Sequence, residues 1–238
     1  DMISNQILQN TIDGLRQIAR IDLCVMDTEG KVLASTIMIG SEYESAVLSF
    51  VDSPADSQVL QGFQFFKVFD ERQLEYVILA KGDSDDVYMV GKLAAFQLQN
   101  LLVAYKERYD KDNFIKSLLM DNLLLVDIYN RAKKLHIETE MRRSVFIIET
   151  KHEKDTNALE TVRSLFADKS RDFITAVDEK YIILVRELKA NEDYDDLNKT
   201  AHIIVDMLNT EALSKVHVAY GTIVNEIKDV SRSYKEAK

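Results

Sequence analysis

The chain has 238 residues, 46% of them hydrophobic and 29% charged, with one Pro and seven Gly, a composition that excludes the disordered, collagen-like and low-complexity classes. Its formal net charge of −10 sits mainly in residues 1–110, which hold 17 acidic and 9 basic side chains, against 23 and 21 in the remainder. Neither part offers the basic field that draws nucleic acid or an anionic membrane, and the length suits one large or two modest domains.

From Ile3 to Ala19, apolar residues at Ile3, Ile7, Leu8, Ile12, Leu15 and Ile18 recur at helical spacing, so the chain opens with an amphipathic helix. The apolar run Ile21–Met26, the turn Asp27-Thr28-Glu29-Gly30 and the segment KVLAS predict a hairpin. A short helix over residues 42–51 is closed by Ser53-Pro54, and QGFQFFKVFD and LEYVILAKG then predict a second hairpin around Glu71, Arg72 and Gln73. Helix, hairpin, short helix, hairpin and long helix is a PAS-like sensor layout.

Alternation along the strands puts Gln61, Phe63, Phe65 and Lys67 on one face, with Leu74, Tyr76, Ile78 and Ala80 on one face of the partner. Two readings stand. Phe63, Phe65 and Tyr76 line a small-molecule pocket with Gln61, Gln64 or Lys67 orienting the ligand, or the aromatics fill a core. The expected ligand-binding set is therefore Gln61, Phe63, Gln64, Phe65, Lys67 and Tyr76.

Residues 85–136 contain no Pro and only Gly91, and repeat apolar residues at Val90, Ala94, Leu98, Leu101 and Tyr105. They predict a long helix that breaks near Asp110 to Asn113 and continues as two shorter helices, 114–125 and 128–135. Leu93, Phe96, Leu102 and Val103 fall off the main stripe. A helix apolar on several sides is packed within a core, between domains or between subunits, and a homodimer is expected from this surplus.

Beyond it, RRSVFIIETK is a strand, 157–167 a helix, FITAV and YIILV a hairpin around Asp178-Glu179-Lys180, 194–208 a helix and Val216 to Gly221 a strand. The order β-α-β-β-α-β is ferredoxin-like, so the expected class is α+β. The expected division is a sensor domain over 1–84, a helical linker over 85–136 and a second domain over 137–238.

The single Cys24 precludes an intrachain disulfide, and no signal peptide or membrane-spanning segment is read, so a reducing, cytoplasmic setting without membrane partners is expected. The four histidines, His136, His152, His202 and His217, show no metal-ligand spacing, and no Walker loop, G-x-S-x-G or G-x-G-x-x-G occurs, so neither metal nor cofactor is expected. The sequence begins at Asp1 and ends inside the amphipathic pattern EIKDVSRSYKEAK, and reads as a piece of a longer protein.

The segments FIKSLLMDN, YNRAKKLHIETEMRRSVFIIE, YIILV and VHVAYGTIVNEIKDVSRSYKEAK, in that order, resemble the transcriptional regulators of carbohydrate-diacid utilisation, the CdaR/PucR-type proteins. ISNQILQNTIDGLRQIARIDLCVMDTEGKVLAST and VLQGFQF are similar to their sugar-diacid recognition domain. The resemblance spans essentially the whole chain and implies a PAS-like sensor for a small-molecule effector, a GGDEF-like middle domain, and a helix-turn-helix that lies outside these residues and makes the DNA contact.

In a catalytic domain of the GGDEF type, glycines in the central hairpin let phosphates approach and carboxylates hold Mg²⁺. Here the hairpin reads AVDEKY, which keeps Asp178 and Glu179 and lacks the glycines. A signalling fragment without enzymatic activity is the expectation. The alternatives are a divergent cyclase or phosphodiesterase using Asp178 and Glu179, and a sensor that only dimerises.

Overall fold

A computed structural model describes residues 3–151, 156–166, 171–211 and 215–238. The chain divides into two units, Asp1–Arg108 and Tyr109–Lys238.

The first unit begins with α1 (Asn5–Ala19), whose N-cap Ser4 accepts from the Ile7 amide and whose stripe of Leu8 and Ile12 is fully buried. Strands β1 (Asp22–Met26) and β2 (Val32–Ser35) form the first hairpin. The Asp27 carboxylate accepts from Glu29 and Lys31 amides, and Gly30 takes the positive φ that closes the turn. A 3₁₀ turn, Ser41–Tyr43, leads into α2 (Glu44–Asp52).

Three strands follow: β3 (Ser57–Leu60), β4 (Phe63–Asp70) and β5 (Gln73–Lys81). All pair antiparallel, in the order β2-β1-β5-β4-β3. Strand β3 was not expected; its two apolar residues are too few to stand out before the Gln61-Gly62 turn. The helix–hairpin–helix–hairpin–helix order expected of this part is otherwise present.

Helix α3 (Val87–Leu119) is 33 residues long. The expected break at Asp110 to Asn113 does not occur: the run holds neither Pro nor Gly, and Lys116 pairs with Asp112 one turn away at 3.0 Å. The helix ends instead at Leu119, where Asp121 adopts φ 59° and the Asn122 amide reaches back to the Ser117 carbonyl. By length and composition alone α3 is apolar enough to cross a membrane, contrary to expectation, although a third of that apolar window is buried in the protein.

The sheet of the first unit is covered on both faces. One face packs Leu23, Val25, Phe66, Val68, Tyr76, Ile78 and Ala80 against α1 and against Val90, Ala94, Leu98 and Leu102 of α3. The other packs Cys24, Met26, Phe63, Phe65, Val77 and Leu79 against Val47 and Phe50 of α2.

The second unit contains the end of α3, α4 (Leu125–Lys134), β6 (Glu140–Thr150), α5 (Thr156–Phe166), β7 (Phe173–Ala176), β8 (Tyr181–Glu187), α6 (Tyr194–Thr210), β9 (Val216–Tyr220), β10 (Val224–Glu226) and α7 (Val230–Ala237). The order β6-α5-β7-β8-α6-β9 is the expected ferredoxin-like succession. Strand β6 is central: β8 lies along one edge, while β9 pairs with Phe146–Thr150 and the short β10 with Glu140 and Arg143 on the other.

One face, with Val145, Ile147, Ile183 and Val185, packs on Phe114, Ile115, Leu118, α4 and α7. The opposite face, with Phe146, Ile148, Ile182 and Leu184, packs on α5 and α6. Helix α6 starts with a capping box between Asp193 and Asp196, and α7 is tied down by Ser233, whose hydroxyl accepts the buried Val145 amide at 3.1 Å. The chain as a whole is α+β with antiparallel sheets.

Candidate functional site

The expected ligand residues of the first unit do not share one face. Phe63 and Phe65 are buried on the α2 side, where Phe63 meets Tyr43 edge-on at 5.0 Å and Phe65 meets Phe50 at 5.6 Å. Tyr76 is buried on the opposite side, against α1 and α3, and burial, with Glu75 nearby, raises its hydroxyl above the usual phenol pKa. Both strands are apolar on both faces, so alternation could not say which residues of one strand face which of the other.

Gln61 is not a strand residue. With φ 51° at Gln61 and 82° at Gly62, the pair makes the two-residue turn that joins Leu60 to Phe63, a mirror-type hairpin turn that demands positive φ at both positions. Gln64 lies opposite Val59 and Ala80 and is half-buried. Lys67 is on the α2 side: its ammonium donates to the Ser53 carbonyl and lies 5.0 Å from the centre of the Phe50 ring.

A residue outside the expected set joins this face. Lys81, at the end of β5, places its ammonium 5.2 Å from the centre of the Phe63 ring. Lys67 and Lys81 thus flank the aromatic layer of Phe50, Phe63 and Phe65. Cys24 lies in the same layer, and burial pushes its thiol up to about 11 despite a hydrogen bond with Ser35, as befits a core residue rather than a nucleophile.

In the second unit the hairpin between β7 and β8 carries the acidic pair. Asp178 Oδ1 accepts from the Lys180 amide at 2.8 Å and the Tyr181 amide at 2.9 Å. The Thr150 amide and hydroxyl both donate to the Lys180 carbonyl, which ties the turn to the end of β6. No residue of the turn has positive φ, so it has no need of glycine. Glu179 is exposed. Tyr234 of α7 lies close enough to feel Asp178 and Tyr181, which add to the burial that raises its pKa.

Among the described residues no group of three or more His, Cys, Asp or Glu side chains is placed to hold a metal ion. His136 ends α4 with φ 57°, His202 and His217 are exposed, and His152 lies outside the described residues.

Sequence reading also missed Arg143. It is 2% exposed on β6, and its Nη2 donates to the Glu138 carbonyl at 2.6 Å, while Nε and Nη1 meet no partner among the described residues. Burial lowers its pKa, and the charges of Glu187 and Glu138 oppose that shift. An Arg near the start of an apolar strand reads as a solvated border residue; its pairing opposite Val224 and Glu187 sets it inside the sheet.

Residues 122–238 match the model of the GGDEF-like domain. The match covers α4 through α7, the β7–β8 hairpin included. No curated protein matches the chain. Among solved structures, PelD 158-CT from Pseudomonas aeruginosa PAO1 is similar at 9% identity, with 91% of this chain and 82% of that chain covered and a TM-score of 0.35. PelD 156–455 from Pseudomonas aeruginosa PA14, in its apo form, gives 9% identity, coverages of 91% and 81%, and a TM-score of 0.31.

Proposed function

We propose that this chain is the effector-sensing and relay part of a bacterial transcription regulator, in which the GGDEF-like domain performs no nucleotide chemistry and DNA is contacted by a domain outside these residues. The observation that carries the reading is the use of Asp178. A carboxylate that holds an ion does so together with other ligands. Asp178 spends one oxygen on two amides of its own turn, no group of three or more His, Cys, Asp or Glu side chains among the described residues is placed to hold an ion with it, and that turn has no glycine through which phosphates could approach. The resemblance to the CdaR/PucR-type regulators supplies the regulatory role.

The effector is a small dicarboxylate taken up on the α2 side of the first unit. Of the basic side chains in residues 1–84, Lys67 and Lys81 lie against the aromatic layer there, and a dicarboxylate needs two separated cations. Entry requires the Tyr43–Phe63 contact to open, which would link occupancy to packing, and a ligand shifts such an equilibrium only by its preference for one state. The packed condition of this layer favours a second reading, a domain kept for association without a ligand.

Thermal unfolding of the whole chain with glucarate and other diacids separates the two. The effector reading expects a saturable rise of several degrees that Lys81→Met removes; no rise with any diacid overturns it. In the same preparation, Mg²⁺ with GTP is expected to give no turnover. Turnover that Asp178→Ala abolishes would restore the cyclase reading.

A further inference from the structure

The first half of α3 carries a second apolar face that the first unit leaves uncovered. Val90, Ala94, Leu98 and Leu102 are buried in the sheet's core, while Met89, Leu93, Phe96 and Val103 stand 54%, 53%, 62% and 58% exposed. These four, with exposed Asn100, follow the spacing 4, 3, 4, 3 along the helix, the alternation of the two seam positions of a heptad. The side chains buried in the core fall off this spacing.

We infer that Met89, Leu93, Phe96, Asn100 and Val103 form the seam of a parallel, in-register pairing of α3 with α3 of a second copy of this chain. Charge supports a second copy on this face. The first 110 residues are strongly acidic, yet no acidic residue occurs between Asp86 and Glu107; of the positions flanking the seam, Val90 is buried in the sheet's core and the exposed ones are Lys92, Gln97, Gln99 and Ala104. Two such faces meet without the repulsion that the rest of the acidic surface would impose.

Area supports it too. The four exposed side chains offer roughly 500 Å² per chain, or about 1,000 Å² for a pair, the lower bound for a stable specific interface. The seam spans two heptads, about 21 Å at 1.5 Å per residue, too short for a free-standing coiled coil and sufficient for helices already held by a folded domain.

Asn100 fixes the orientation. Its spacing to Val103 puts it at an a position, where a parallel pair sets it against its own copy and the two amides hydrogen-bond. An antiparallel pair centred on Phe96 would set Asn100 against Leu93 and leave its amide unpaired in the seam. A membrane-spanning placement of the folded form is excluded because the opposite face of the same helix is buried in the sheet's core.

The test is the mass of the purified 238-residue chain by light scattering at tens of micromolar, beside Phe96→Asp and two single cysteine variants, Met89→Cys and Val103→Cys. The pairing predicts a dimer, a monomeric Phe96→Asp that keeps the native circular dichroism and a cooperative melt, lowered only by the loss of association, and disulfide-linked dimers from both cysteine variants on mild oxidation. Native Cys24 is buried and does not interfere. A dimer that survives Phe96→Asp, or linkage through only one of the two cysteines, overturns the parallel seam. A monomeric native chain also overturns it, whether slow thiol labelling at Met89→Cys then assigns the face to another part of the same chain or vesicle binding assigns it to lipid. Diacid binding is read separately by melting, so it can fail while the pairing stands.

Discussion

Cys24 shows how far one buried group ties the stability of the first unit to pH. Its thiol is raised to about 11 because the ionised form would lie among Met26, Phe50 and Phe65 on the α2 side of the sheet. An unfolded cysteine titrates near 8.5. Below that value both states hold the proton and the contribution to stability is complete. Between it and about 11 the unfolded thiol ionises while the folded one does not, so stability falls as pH rises, by about 3 kcal/mol in total. Urea unfolding at pH 8 and pH 10.5 should show most of that loss in the native chain and a smaller one in Cys24→Ala, the difference excluding the tyrosines that titrate in the same range. An equal loss in both would place the thiol in contact with water. The same burial predicts that a thiol reagent at pH 8 labels Cys24 only after unfolding.

At the scale of elements, α3 approaches the sheet closely at Gly91, where an added Cβ would come within 2.1 Å of the Phe66 ring. Alanine favours a helix over glycine by about 1 kcal/mol, but Phe66 is fully buried and has nowhere to go, so overpacking of about 1–3 kcal/mol decides the sign. Gly91→Ala is therefore expected to lower the melting temperature of the first unit; a rise would mean that the helix can move off the sheet at no cost. This contact also marks what the sequence could and could not reveal. The buried stripe of α3 was legible in Val90, Ala94 and Leu98, which repeat at helical spacing, but Leu101 and Tyr105 are only partly buried and Leu102, read as off the stripe, is buried in the core. The supposed break at Asp110 to Asn113 was not real, because a charged run without Pro or Gly continues a helix. Strands β3 and β10 escaped notice since four and three residues carry too little periodicity. The candidate site was legible only in part: Phe63, Phe65 and Lys67 do share a face, but Tyr76 is on the other, and Lys81 enters only through the placement of β5 beside β4.

For the molecule as a whole, charge is the property that bears most directly on function. A protein that neutralises phosphates does so with clustered Lys and Arg, and its affinity for duplex DNA rises steeply as salt is lowered. Here acidic side chains outnumber basic ones by ten over the full length, and several of the cations are already engaged with the protein itself: Arg16 with Asp22, Lys106 with Glu71, Lys116 with Asp112, Lys228 with Glu226 and Lys235 with Asp121. Such surface pairs contribute little to stability, yet each lowers the local positive potential that a phosphate would meet. The 238-residue chain is therefore expected to leave a labelled duplex unretarded in a gel at 50 mM salt, at protein concentrations in the tens of micromolar. If the chain serves a regulator as proposed, joining a basic DNA-binding domain to it should create retardation that falls with added salt. Retardation by the 238 residues alone, declining between 50 and 200 mM salt, would place a DNA surface within them and refute the division of labour argued here.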